Sequence, residues 1–210
     1  MNIIFMNEVG ISIISQMCAY AYLYLKGNTK KEKKQRLFFI LICTAVTFAA
    51  FFCIHTYTED LLEFTRYMIL YQILFCAAII DYDRRIIPNL LIWFGIFVQT
   101  LLGILELCVF RNIEKSSLIT RGAEVFLTAS LLGILYVVSK HAIGFGDVKL
   151  LCMSTFLCGF IQSFSIFFYA LLAIMAVTLL LIIVKKVHRK HTLPFAPFLL
   201  IGFFLTLLLE

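Results

Sequence analysis

Two stretches of this chain set a carboxylate against long apolar runs: IIDYDRRIIPN, which carries Asp81 and Asp83, and HAIGFGDVKLL, which carries Asp147. A carboxylate at membrane depth must have its desolvation offset by a partner or a water-filled cavity, so it is a functional candidate by default. Two carboxylates held close together cannot both ionise cheaply. One keeps a proton near neutral pH while the other does not, and the pair then offers an acid and a base together. Such a dyad can take a proton from a water attacking a peptide carbonyl and return one to the leaving nitrogen. Its apparent pKa values belong to the pair.

Elimination leads to the same residues. Glu59, Asp60 and Glu63 read as an exterior acidic loop, and Glu32 lies in a Lys-rich one. Glu106 and Glu124 fall near exterior helix ends, where a carboxylate reaches the interface. Asp81, Asp83 and Asp147 remain, on one expected face. Each also has a plain structural reading. Asp147 precedes VKLLCM and would serve as an N-cap, with Gly144 and Gly146 making the turn. Asp81 or Asp83 would pair with Arg84 or Arg85, with Pro88 opening the next helix.

These residues need elements to position them, and the composition says which. Of the 210 residues 62% are hydrophobic and 14% charged, with a mean hydropathy of +1.00. Continuous runs such as LFFILICTAVTFAAFFCI do not alternate, which excludes a transmembrane barrel and leaves an all-α, polytopic helix bundle. Charges, Gly and Pro divide the chain into eight apolar segments, near 3–25, 37–57, 61–80, 90–110, 122–140, 148–159, 161–184 and 194–209. The sixth is too short to span alone, so it is either a half-depth helix or part of one long bent helix with the seventh. No repeat or second domain is visible, and residues 1–210 read as a single integral-membrane domain.

If the segments alternate, the loops at 26–36, 81–89, 140–149 and 185–193 share a side and carry six, two, two and four of the 18 Lys and Arg. That asymmetry puts these loops in the cytoplasm and both termini outside. The run KGNTKKEKKQR lacks interleaved aromatics, so the net charge of +6 points to anionic lipid rather than nucleic acid. The first segment contains Ala19-x-Ala21 but no preceding positive residue, so a retained helix is expected rather than a cleaved leader. Seven cysteines lie almost entirely in apolar runs, never as C-x-x-C, and read as small buried hydrophobes. His55, His188 and His191 form no metal pattern with them.

Three ordered blocks resemble the type IV prepilin peptidases and archaeal preflagellin peptidases, membrane aspartyl proteases of the G-x-G-D group. DYDRRIIPN resembles the family's first block, ending in I-P-N at Pro88 and Asn89, and the resemblance makes Asp81 catalytic. GFGDVKLL resembles the G-x-G-D-x-K-L block, with Gly144, Gly146 and Lys149, and makes Asp147 the second catalytic residue. LPFAPFLLIG resembles the C-terminal proline signature and holds Pro194 and Pro197. Blocks and intervening helices cover most of 65–205.

The resemblance implies removal of a basic leader from prepilin-like proteins at the cytoplasmic membrane face, with neither metal nor cofactor. The partners expected are a substrate with a basic leader and a hydrophobic helix, and membrane lipid. Lys149, if close to Asp147, would favour its ionised form. Tyr82-Asp83 also mimics the Y-D pair of presenilin-type proteases, but Arg84 and Arg85 follow it directly, so Asp81 is preferred. Many bacterial members also methylate the new N-terminus, using a cytoplasmic insert with paired C-x-x-C motifs. That insert has no counterpart here, and a peptidase without methyltransferase activity is expected. A proton-coupled transporter using the same aspartates is the rival from another class, and a silent scaffold a third reading. The mid-helix regions are nearly free of the polar groups a transporter would show.

Overall fold

The computed structural model describes residues 46–58, 60–109, 116–139, 144–184 and 193–209. Seven helices and no strand occur among them. They are α1 (Val46–Tyr57), α2 (Leu61–Arg84), α3 (Asn89–Val109), α4 (Ser116–Val138), α5 (Phe145–Cys158), α6 (Phe160–Ile183) and α7 (Ala196–Leu209). The expected all-α bundle is the observed class. α2, α6 and much of α3 and α4 are long and apolar enough to cross a membrane, while α1 and α7 are shorter apolar helices. The first expected segment, the Lys-rich run, the Ala19-x-Ala21 stretch, His141, His188 and His191 lie outside the described residues.

The chain divides into two compact units, Met1–Met68 and Ile69–Glu210. In the first, aromatic side chains join α1 to the start of α2. Phe51 meets the Phe64 ring edge-on at 5.6 Å, His55 stands 6.4 Å from each of them, and Tyr57 meets Tyr67 at 5.4 Å. His55 thus has a packing role. Such edge-on pairs add about 1 kcal/mol beyond the area they bury.

In the second unit α3 and α4 both pack on α5, α5 packs on α6, and α6 on α7. The centre is tight where glycine permits it. A methyl at Gly95 would fall 2.6 Å from the Met153 sulfur and 2.9 Å from Ile73 Cδ1, so α3 lies close to α2 and α5 here and a larger residue would have to displace those side-chain ends. Gly202 marks a close approach of α6 and α7, since its missing Cβ would strike the Ile166 carbonyl oxygen and lie 2.9 Å from Ala170 N. Small residues at such crossings are the usual means of close packing in lipid, where apolar burial no longer drives helices together. Large apolar side chains point outward, including Trp93 at 69% and Phe126 at 76% exposure, as suits a protein surrounded by hydrocarbon.

The long bent helix considered for the sixth and seventh segments is not what forms. The chain reverses at Gly159, whose φ of +93° and ψ of 170° lie outside any helical region. Ser163 Oγ lies 2.6 Å from Ser154 Oγ and donates to Leu151 O at 3.3 Å. On a continuous helix residues 151 and 163 would stand about 18 Å apart, so α5 and α6 run side by side as a hairpin. Thr155 donates to Ser163 Oγ at 3.0 Å, and its hydroxyl meets that of Thr128 on α4 at 3.2 Å. These hydroxyls are buried and bonded to each other or to the preceding turn, so none is stranded in the apolar centre.

Two charged side chains on α4 clamp the reversal. Arg121 Nη1 donates to Leu157 O at 3.3 Å, and Phe160 N donates to Glu124 Oε2 at 3.2 Å. The cation thus meets the C-terminal end of α5 and the anion the N-terminal end of α6, which is the favourable sense at both helix ends.

Candidate active site

One end of the second unit gathers the last turn of α2, the start of α3, the last turns of α4, and the starts of α5 and α7. α2 ends at Arg84, with Arg85 N donating to Asp81 O at 2.8 Å and Arg85 itself at φ +54°. A left-handed residue just past the last turn is a common helix stop, though glycine usually supplies it. The chain then turns through Ile86 and Ile87, and Pro88 O accepts from Leu91 N at 3.2 Å as α3 begins at Asn89.

Asp81 and Asp83 stand two residues apart on α2, about 200° around a helix of 3.6 residues per turn. They therefore face opposite ways. Asp81 is 7% exposed and Asp83 lies in solvent with Tyr82, Arg84 and Arg85. The buried Asp81 carboxylate accepts a hydrogen bond from Ala196 N at 3.1 Å. Ala196 is the first residue of α7, between Pro194 and Pro197. Phe198 N and Leu199 N both bond Phe195 O, which closes the first turn. Pro197 needs no donor there. The third sequence block thus delivers a helix N-terminus to the first block's aspartate, across 115 residues of chain.

Asp147 is the third residue of α5, and the residue ahead of the helix is Gly144, at φ −66° and ψ 132°. The N-cap role open to Asp147 from sequence therefore falls to Gly144, and Asp147 sits inside the first turn. Its half-buried carboxyl reaches back over Gly144, where an added Cβ would lie 2.8 Å from Oδ2. Burial raises its pKa to about 6, the charge of Asp81 pushes in the same direction, and a hydrogen bond from the Gly144 backbone pulls it down. Asp81 is thus near enough for its charge to act on Asp147. Gly146 packs on the loop after α2, an added Cβ lying 3.3 Å from Ile87 Cβ. The two glycines serve the carboxyl and the loop respectively.

Lys149 is engaged elsewhere than Asp147. Its Nζ donates to Asn89 Oδ1 at 3.2 Å and stands 4.7 Å above the Phe145 ring. The lysine and the asparagine of two separate sequence blocks hold the starts of α5 and α3 together. Two features of the site escaped the sequence, the Ala196 donor and the Lys149–Asn89 bond, and so did the α4 clamp of Arg121 and Glu124 at the far end of α5. The clamp leaves a trace in the i, i+3 spacing of opposite charges, but its targets are main-chain atoms that carry no residue signature.

No curated protein and no solved structure matches the chain. The model of the type IV leader peptidase family matches residues 68–182. The matched span contains Asp81 and Asp147 and ends before the proline block at the start of α7. It covers more than half of the chain, and the chain belongs to the type IV leader peptidase family.

Proposed function

We propose that this membrane peptidase is an aspartyl endopeptidase that removes the basic leader of type IV prepilin-like or pseudopilin precursors at the cytoplasmic face. Asp81 and Asp147 are its catalytic pair. The observation that carries this reading is the convergence of two carboxyls from separate helices at one end of the bundle, where the Asp81 charge acts on Asp147. A carboxyl that holds its proton to about pH 6 is suited to protonate the leaving nitrogen, which assigns Asp147 the acid role. Asp81 takes the proton of the attacking water, its carboxylate oriented by Ala196 N–H. Lys149 and Asn89 position the turn that carries Asp147.

The basic loops favour the cytoplasmic side, and the absence of any C-x-x-C pair favours cleavage without methylation. The decisive experiment incubates purified protein with a precursor made of a basic leader, Gly and a hydrophobic helix, and weighs the products. The expected products are two fragments from one bond ahead of the helix, with no added methyl group. Asp81→Asn and Asp147→Asn should each abolish them while the protein remains inserted. Undiminished cleavage by either variant refutes the assignment. Proton flux lost in Asp147→Asn vesicles, with no cleavage by the unaltered protein, would establish the transporter instead.

A further inference from the structure

Among the described residues α3 and α4 each pack on α5 with no extensive contact between the two, and a cavity of about 630 Å³ lies between them. One wall is α3, with Trp93, and the floor is α5. The opposite wall is a face of α4 with small side chains, and an added Cβ at Gly122 or Gly133 would meet nothing within 4 Å. Gly122 to Gly133 spans about 16 Å, or three helical turns. This is a long slot whose α4 wall carries only small side chains and two glycines, the shape that lets a second helix backbone come close in lipid.

The slot's charged lining residue is Lys149, at the end where the aspartates lie. Its ammonium rests on a neutral amide oxygen and an aromatic face, with no carboxylate in either contact. A cation so placed beside an apolar slot calls for an anionic group on whatever fills it. Phe145, Lys149, Cys152 and Phe156 share the face of α5 that lines the slot, whereas Asp147, two residues from both Phe145 and Lys149, points to the opposite face. An occupant of the slot therefore reaches the aspartates only by passing around the start of α5. Ile87 blocks the side next to Gly146, while Gly144 is exposed.

We propose that the slot between α3 and α4 seats the apolar helix of the substrate, with Lys149 receiving a carboxylate in that helix's first turn and the preceding strand crossing Gly144 to the aspartate pair. This rests on the peptidase reading and adds the place where substrate binds. The width of α5, about 10 Å, is crossed by about three extended residues. The bond cut accordingly lies three or four residues ahead of the seated turn.

The test uses the full chain in lipid vesicles and a precursor with a basic leader, Gly, and a 20-residue apolar helix bearing one Glu in its first turn, about that length being needed to span. Gly133→Leu fills the slot where the backbone has room. It should raise KM at least tenfold with kcat within twofold. Lys149→Glu also loses the Asn89 bond and so lowers kcat for every precursor, but it should raise KM similarly, and a precursor with Lys in place of that Glu should restore KM alone. A photo-cross-linker in the precursor helix, presented to Asp147→Asn protein, should label the Phe145–Phe156 face of α5. Gly122→Leu repeats the blockade if Gly133→Leu fails to fold. An unchanged KM in the slot-filled protein, or labelling confined to lipid, to a second copy or to the chain's own first 45 residues, overturns the seat and leaves the peptidase reading standing. Failure of the unaltered protein to cut the precursor overturns both.

Discussion

Two glycines with opposite surroundings give the sharpest test of the packing that holds Asp81. At Gly202 a single methyl would strike the Ile166 carbonyl oxygen and lie 2.9 Å from Ala170 N and 3.2 Å from Ala170 Cβ. Two of these are backbone atoms of α6, so no side-chain rotation relieves the overlap. Bringing the methyl to a van der Waals separation of about 3.5 Å from the Ile166 oxygen requires α6 and α7 to part by roughly 1 Å. Overpacking of this kind costs about 1–3 kcal/mol, and for a chain of this length each kcal/mol lowers Tm by about 2–4 °C.

Gly202 lies six residues from Ala196, so the shift reaches the donor that orients Asp81, whose bond at 3.1 Å has little slack. A misplacement of about 1 Å at a catalytic group costs on the order of 10²-fold. Gly202→Ala should therefore melt about 2–12 °C lower in detergent and lose activity mainly in kcat. Gly133→Ala, with empty space around its Cβ, should be neutral or more stable by up to about 1 kcal/mol, the helix-propensity difference. Paired melting curves and cleavage kinetics on the two variants decide the matter. Equal melting temperatures would refute the close crossing of α6 and α7.

Three further outcomes follow from the site. Because the folded protein raises Asp147's pKa to about 6, ionising this group opposes folding. The penalty is absent below pH 4, grows as pH rises towards 6 and is constant above it. Discounted for the water a half-buried group retains, it is on the order of 1 kcal/mol. Asp147→Asn should thus be more stable than the unaltered protein at pH 8, with the gap closing towards pH 4 in melting curves; a gap independent of pH contradicts the burial. Asp83→Asn should keep cleavage within about threefold, since Asp83 faces solvent, whereas Asp81→Asn should be inactive yet folded because its amide oxygen still accepts from Ala196 N–H. For Glu124, the Gln variant keeps an acceptor for Phe160 N–H and should melt close to the parent, while Glu124→Ala should lose about 1–3 kcal/mol, and equal losses would show that the carboxylate does not cap α6.

Much of the fold was readable because the lipid environment makes segments long and uniform, and the borders of α2, α3, α6 and α7 fall within about a turn of the expected breaks, while α4 begins nearly two turns early, at Ser116. The α5–α6 hairpin was not, since the apolar run through Cys158-Gly159-Phe160 reads the same whether the chain continues or folds back. The positive φ of Gly159 and the bonds of Ser163 to Ser154, Thr155 and Leu151 distinguish the two. Asp81 was preferred to Asp83 in the sequence for its apolar predecessors, and in the structure Asp81 is buried while Asp83 is exposed. Lys149 was linked in sequence to its neighbour Asp147, but helical geometry puts residues two apart on opposite faces. Its real companion, Asn89, comes from another block 60 residues away.

At 14 residues, α5 measures about 21 Å against a hydrocarbon thickness of about 30 Å. That is too short to span by itself, and its side-by-side packing on α6 suits the two to enter the bilayer as one hairpin. The tip of that pair carries exposed main-chain groups that become satisfied only by Arg121 and Glu124, which precede it in the chain. The order of translation thus places the receiving helix in the membrane before the hairpin that needs it.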